Sequence, residues 1–478
     1  LNKKHFARGE KMKKPVLNLS TAFSAVMLLV MVGGCQVAQE TKPPIRAAAA
    51  AANIEVSDDM PIGGWIVPRT AKGEDAKLRA QVTVFTDGKT KVCIGSADIT
   101  YLHRPILDHV SREAKARWGI PFENIMIGAT HSHGCPIQTD YTDTTADQTF
   151  NNAIIDAFLK AIEEANGELE NGKGATEGSF ALGYALIGQN SRLIMEDGSI
   201  LWVPTVYKYG YNRPTGPYDG QLPVLVFKDQ AGNLESILFN HGAHNINQPS
   251  LVPVRSPSFF GRAAQELEQE LGGTIIFLPG AFGSTHVFDD MTTEERVFRA
   301  KDGIKRAYAK AEKKDFTKLA AKKMEFSWRV RTEFDEAKEH QAVSDYCNRW
   351  FKEIDSWDAQ PQPVIDAFKA RRDRMKATPV PERTRKSWLQ VIQIGEVAFV
   401  GIPGELFAEL GMEIKRRSPF RYTYVMGIAN DYIGYLPDKE AYRFGGYQTW
   451  VGPNYSMPGT GEMLVDESIK ILNNFYNN

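Results

Sequence analysis

Ile125-Met126-Ile127-Gly128-Ala129-Thr130-His131-Ser132-His133-Gly134 is an apolar run that ends in two histidines and a glycine. The run reads as a buried strand, and the residues beyond it as the loop at its end. Side chains two apart on extended backbone share a face, so the spacing sets two imidazoles side by side. Imidazole is the commonest protein ligand for zinc and carries protons near neutral pH. The chain has only nine histidines, and a second pair, His241 and His244, follows the apolar run Ser236-Ile237-Leu238-Phe239. Two such pairs at two expected strand ends point to one metal centre assembled from distant parts of the chain.

Outward from these pairs the sequence alternates strands and helices. Segments 80–85 and 91–97 are joined through Asp87-Gly88, a hairpin signal. Residues 105–118 have helical apolar spacing and stop at Gly119. A second amphipathic helix is expected over 152–164, a hairpin over 222–240, a helix over 260–271 and a buried strand over 274–278. The charged stretch 302–386 reads as mostly helical. Gly395-Glu396 turns a hairpin over 388–402, and a helix is expected from Glu405 to Lys415. A strand follows at 422–427 and a closing helix at 462–475. Frequent hairpins argue against a purely parallel doubly wound fold. The expected class is α/β, with mixed β-sheets and helices packed outside in one large domain over 54–478. No internal repeat is read from the residues.

The 478 residues carry a formal net charge of -1, which leaves no basic excess for phosphate, and no nucleic-acid partner is expected. The two Lys/Arg-rich stretches, 310–331 and 369–386, are interrupted by acids and read as solvated helix faces and loops. Lys13-Lys14, an apolar stretch over 22–32 and Gly33-Gly34-Cys35 read as a signal peptide over 1–35. Its end resembles a bacterial lipobox, so a lipid on Cys35 is expected to tie the protein to a membrane, the outer membrane by preference, in the cell envelope. An ordinary signal peptide of a secreted protein is the alternative. Residues 36–53, with the alanine run 47–52, read as a flexible tether. Cys93 and Cys135 read as buried filler rather than a disulfide framework or soft ligands.

Residues 127–136 are similar to the Ala-Thr-His-x-His segment of neutral ceramidases. Gly401-Ile402-Pro403-Gly404-Glu405-Leu406-Phe407 resembles that family's Pro-Gly-Glu segment, and 430–448, with Tyr435-Leu436-Pro437 and Gly445-Gly446-Tyr447, resembles its paired-tyrosine segment. With 239–244 and 277–283 the motifs stand in the family's order from about residue 54 to the C-terminus. The family consists of zinc amidases that cleave the N-acyl bond of ceramide. The resemblance implies one zinc ion per chain held by His131, His244, Glu405 and Tyr435. It implies proton handling by His133, an oxyanion contact from Tyr447 and a substrate contact from Arg192. By their residue types alone, Glu405 is equally a helix-start acid and Tyr435 a core aromatic.

One segment departs from the family pattern. Gly283-Ser284-Thr285-His286 stands where members carry Gly-Asp and then Ser-Pro, so His286 becomes a further candidate for proton transfer or metal contact. The expected activity is hydrolysis of a lipid-like N-acyl amide. A metallohydrolase of the same fold acting on another amide or ester, and a non-catalytic binding lipoprotein, remain the alternatives.

Overall fold

The hairpin at Asp87-Gly88 forms, and the sheet it belongs to sets the pattern for the whole chain. The structure is a computed structural model that describes residues 45–57, 60–64, 69–138, 148–202, 211–248, 253–288, 290–351 and 361–477. Strands β1 (Arg46–Asn53), β2 (Arg79–Thr86) and β3 (Lys91–Ala97) pair antiparallel in sequence order. Helix α1 (Arg104–Trp118) then crosses over to β4 (Ile125–Ala129), which lies parallel to β3. Helix α2 (Thr149–Glu170) returns to cover β1 and β2.

That order recurs twice. The second sheet runs β5 (Glu177–Tyr184), β6 (Gln221–Lys228) and β7 (Leu234–His241), all antiparallel. Helix α3 (Ser258–Leu271) leads to the parallel strand β8 (Thr274–Pro279), and α4 (Thr293–Tyr308) covers β5 and β6. A short strand, β9 (Glu312–Lys313), extends this sheet. Two helices, α5 (Glu336–Tyr346) and α6 (Pro361–Lys376), fall between the first two strands of the third sheet. Those strands are β10 (Leu319–Arg329) and β11 (Thr384–Ile394), followed by β12 (Val397–Gly401); helix α7 (Ala408–Arg417) then leads to the parallel strand β14 (Tyr422–Met426). A two-residue strand, β13 (Glu405–Leu406), precedes α7 and pairs with β15 (Tyr435–Leu436). After a short α8 (Lys439–Phe444), α9 (Thr460–Asn477) covers β10 and β11.

The main elements of the described residues therefore repeat the order strand, strand, strand, helix, strand, helix three times. The sequence reading found no repeat because the copies share connectivity rather than residues. Each copy buries its own helix–sheet core. The opposite faces of the three sheets meet in a common centre, where Phe85 and Met126 join Phe227, Leu238, Phe399 and Met426. A mixed α/β fold with helices outside was expected, and this is its physical basis: each sheet is apolar on both faces and needs a cover on each.

Three expectations are corrected. The alanine run is not a tether: β1 pairs along its full length with β2, and Ala48, Ala50 and Ala52 enter the core under α2 while Ala47 faces the common centre. Alanine is a poor strand former, but its small side chain lets a helix and a second sheet approach one strand from both sides. The Ala49 N–H donates to Glu235 Oε1 at 2.8 Å. Filling this space is expected to be costly: Ala48→Leu should lower stability by about 1–3 kcal/mol in denaturant unfolding, the cost of an overpacked core. A tether at this position would show no change.

The stretch 302–386 carries the end of α4 with α5 and α6, but it also holds the strand β10, which was not expected. Its alternation is masked by Lys323, which points inward, donates to the Ile125 carbonyl at 2.7 Å and lies over the Phe122 ring. Glu405 does not open a helix but pairs with Tyr435 in β13–β15, and α7 starts at Ala408. The expected signal peptide and lipidated Cys35, with the part of the tether before residue 45, lie outside the described residues. No helix of the described residues is long and apolar enough to cross a membrane.

Candidate metal centre and active site

The loops that leave the third and fourth strands of the repeats converge at one end of the sheets. From the first repeat come Thr100, after β3, and His131 and His133, after β4. From the second come His244, after β7, and Phe282, after β8. From the third come Glu405, after β12, and Tyr432 and Tyr435, after β14.

His131, His133 and His244 form one group whose ring nitrogens all lie within 4.8 Å of one another. The Nε2 atoms of His131 and His244 are 3.0 Å apart, and those of His131 and His133 are 3.1 Å apart. His131 Nδ1–H donates to the Thr100 carbonyl at 2.9 Å. The backbone of Gly64 lies beside the His133 ring and that of Phe282 beside the His244 ring. A carbonyl only accepts, so His131 Nδ1 carries the proton and its Nε2 is left as a bare lone pair. Ring nitrogens gathered this closely around one point suit a cation among them. These separations approach the edge of a tetrahedron with zinc–nitrogen bonds of about 2.0–2.1 Å, which is about 3.3 Å.

Glu405 supplies the charge. Its Oε2 lies 3.6 Å from His131 Nε2 and 4.0 Å from His244 Nε2, is buried and receives no hydrogen bond. Tyr432 donates to its Oε1 at 2.8 Å. Burial raises the Glu405 carboxyl to about 8, partly offset by the Tyr432 and Tyr435 hydroxyls. Burial lowers His131 to about 4 and pushes His133 and His244 well below the usual imidazole range, helped by the neighbouring imidazoles. The imidazoles are therefore neutral donors at pH 7, and the carboxyl holds a proton until a cation displaces it. This donor set fits a borderline divalent ion such as zinc.

These shifts give a prediction for the ion-free protein. A carboxyl whose folded pKa lies above its unfolded value binds more protons when folded, so this group makes stability fall as pH rises from about 4.5 toward 8. Zinc binding at pH 7 should release close to one proton, from Glu405, and progressively less above pH 8. Calorimetry in buffers of different ionisation enthalpy measures this directly. Release of several protons would mean that the imidazoles were charged.

The local backbone differs from the reading of the His pair as extended. His131 has φ 60°, in the left-handed region, at a cost of roughly 1 kcal/mol for a non-glycine residue. Its turn, rather than a shared strand face, brings the two rings together. Gly64 sits against the second ring: a Cβ there would lie 2.7 Å from His133 Cγ.

A cavity of about 610 Å³ opens over the group, and His131, His133, Glu405, Tyr435 and Tyr447 are in its wall. Tyr447 stacks on Trp202 at 3.9 Å between ring centroids. Burial holds its hydroxyl up to about 12, so it is a neutral donor at pH 7.

The other expected residues stand elsewhere. Arg192 is fully buried and is not in the cavity wall. It donates to the carbonyls of Ala441 at 3.1 Å and Gly445 at 2.6 Å and to Gln448 Oε1 at 3.3 Å, which fixes the turn carrying Tyr447. A substrate contact from Arg192 is thereby corrected to a positioning role. His286 stacks behind His244 at 5.5 Å, outside the cavity wall. Ser284 Oγ accepts the Ala408 N–H at the start of α7, a structural use of the altered segment. His241 is a satisfied core histidine between the Gln221 carbonyl and the Tyr218 hydroxyl. Cys135 accepts the Thr100 N–H at 3.1 Å and takes no part in the group. The sequence reading missed Thr100, Tyr432 and the arginines of α6; Tyr432 lies inside the paired-tyrosine segment, the one signal that could have found it.

No family model matches the chain, and no curated protein matches its sequence. Solved structures do. The crystal structure of the neutral ceramidase from Pseudomonas aeruginosa is similar with a TM-score of 0.64 at 17% identity, over 90% of this chain and 75% of that one. A structure of ceramidase complexed with C2 is similar with a TM-score of 0.65 at 16% identity, over 90% of this chain and 76% of that one. Over nine-tenths of its length, this chain shares the fold of the neutral ceramidases.

Proposed function

We propose that the protein is a zinc-dependent amidase that hydrolyses an N-acyl amide of a lipid-like substrate, ceramide being the case named by the similar structures. The observation that carries the reading is the convergence of His131 Nε2, His244 Nε2 and the buried Glu405 Oε2, with His133 beside them in the wall of a cavity that also holds tyrosines. His131, His244 and Glu405 would hold the ion, with Tyr435 beside the carboxylate. A divalent ion there polarises a carbonyl oxygen and makes water acidic enough to act as a nucleophile near neutral pH.

The chain's own residues do the rest. His133 is the half-buried member of the trio and faces the cavity. Its Nε2, 3.1 Å from His131 Nε2, accepts the proton of the attacking water. The water oxygen bonds to the carbonyl carbon, the C–N bond breaks, and His133 returns the proton to the leaving nitrogen. Tyr447 donates its hydroxyl hydrogen to the carbonyl oxygen as negative charge builds there. The tyrosine wall excludes water around the reacting centre.

The test is hydrolysis of ceramide and of short N-acyl amides by zinc-supplied protein, with and without a chelator. Metal-dependent release of fatty acid supports the proposal, and no turnover of any amide by zinc-loaded protein overturns it. The envelope anchor is proposed on the Val32-Gly33-Gly34-Cys35 pattern alone. Incorporation of labelled fatty acid that is lost in Cys35→Ala supports it, and unlabelled wild type refutes it.

A further inference from the structure

The charge around the cavity does not match a neutral amide. Its wall holds three arginines, Arg371, Arg374 and Arg385, against a single carboxylate, Glu405, which belongs to the metal group. Among the described residues none of the three is paired with an acid. The same helix shows that this is not for want of partners: in α6, Lys369 pairs with Asp373 at 2.7 Å and Arg372 with Glu336 at 2.8 Å. Arg371 and Arg374 are three apart on that helix and share a face, which is the face turned to the cavity.

Arg371 is also held in place. Its stem lies against Gly452, where a Cβ would fall 3.3 Å from Arg371 Cβ and where φ is 125°, so the approach needs a glycine. Its guanidinium lies 5.3 Å from the Phe368 ring centre and hydrogen-bonds the Tyr447 hydroxyl. One edge of the fork is thus committed beside the catalytic phenol, and the remaining donors are available to the cavity. Arg385 stands at the start of β11 on the same rim, with its Nε donating to the Glu382 carbonyl at 3.3 Å. Aliphatic contacts in the wall are few: Ile137, Val330, Met375 and Pro453.

We propose that Arg371, Arg374 and Arg385 form an oxyanion subsite, and that the substrate is an N-acyl amide carrying a carboxylate or phosphate on its amine portion, within a few bonds of the scissile nitrogen. This rests on the amidase reading of the same site and narrows its substrate class. Guanidinium forks suit either anion, because both present paired oxygens. The anion sits on the Tyr447 side, so it also orients the acyl carbonyl toward the phenol. A bound divalent ion adds further positive charge and strengthens the preference.

Three substrates with one acyl chain separate the cases: N-lauroylglycine, N-lauroyl-phosphoethanolamine and the uncharged N-lauroylethanolamine. Binding to zinc-supplied protein is measured by calorimetry, and hydrolysis is followed separately as kcat/KM. Expected is a preference of about tenfold or more for one or both charged compounds, falling about tenfold in Arg374→Gln and by less in Arg374→Lys, which keeps the charge but not the fork. Which charged compound leads tells carboxylate from phosphate. Arg374 is exposed, so its variants test charge rather than folding. Equal or stronger binding of the neutral compound, or a preference that Arg374→Gln leaves intact, overturns the inference. If none of the three is hydrolysed, the amidase proposal fails for these compounds, and the binding arm still decides on the subsite.

Discussion

His131→Ala is expected to remove metal retention and turnover together. kcat/KM should fall by about a thousandfold or more, because the ion and the chemistry it supplies leave with the ligand. The reason lies in the geometry: His131 Nε2 is the atom closest to every other donor, at 3.0 Å from His244, 3.1 Å from His133 and 3.6 Å from Glu405. The variant should still fold, since it removes one side chain of the site and leaves the three helix–sheet cores intact. His133→Ala makes the contrast: zinc is kept and rate is lost, because that imidazole moves the proton. Metal analysis after gel filtration, paired with kcat/KM, reads both. If the His131 variant keeps its zinc, the centre has been assigned to the wrong residues.

Tyr447→Phe is expected to lower kcat by about a hundredfold to a thousandfold, the usual cost of losing one oxyanion donor. Zinc content should be unchanged and KM should move little. The ring stays stacked on Trp202, so the change removes the hydroxyl and little else. Because burial holds that hydroxyl up to about 12, the rate loss should be the same across pH 6 to 9. A loss confined to alkaline pH would mean that the phenol titrates and acts as an acid–base group. Loss of zinc in this variant would overturn the separation between the metal donors and Tyr447.

What the sequence discloses is local. Turns with a specific chemistry are legible: Asp87-Gly88 and Gly395-Glu396 close their hairpins where expected, and Gly119 ends α1 in the left-handed conformation. The His-x-His pair after an apolar strand was legible too, and so was its meeting with His244. The rest depends on tertiary context. Ala47–Ala52 makes sense as a strand only once α2 and the second sheet press on it from opposite faces. Lys323 breaks the alternation of β10 because its partner, the Ile125 carbonyl, lies almost two hundred residues away.

The site shows the same limit. Glu405 looked like a helix-start acid because Pro403-Gly404 precedes it and a helical pattern follows. Its pairing with Tyr435 holds it one step earlier, beside the metal group. Arg192 was expected from the resemblance to touch substrate, and it is spent instead on the carbonyls behind Tyr447. Arg371 and Arg374 read as part of a solvated charge run. Only the fold shows that they face a cavity with one carboxylate in its wall. The threefold repeat was invisible because the copies share connectivity and not residues.

Anomalous X-ray diffraction at the zinc edge, from crystals of the zinc-supplied protein, tests the central claim most directly. The account predicts one strong peak about 2.0–2.2 Å from His131 Nε2, His244 Nε2 and Glu405 Oε2 together. Those three atoms standing apart, with no peak between them, would contradict it.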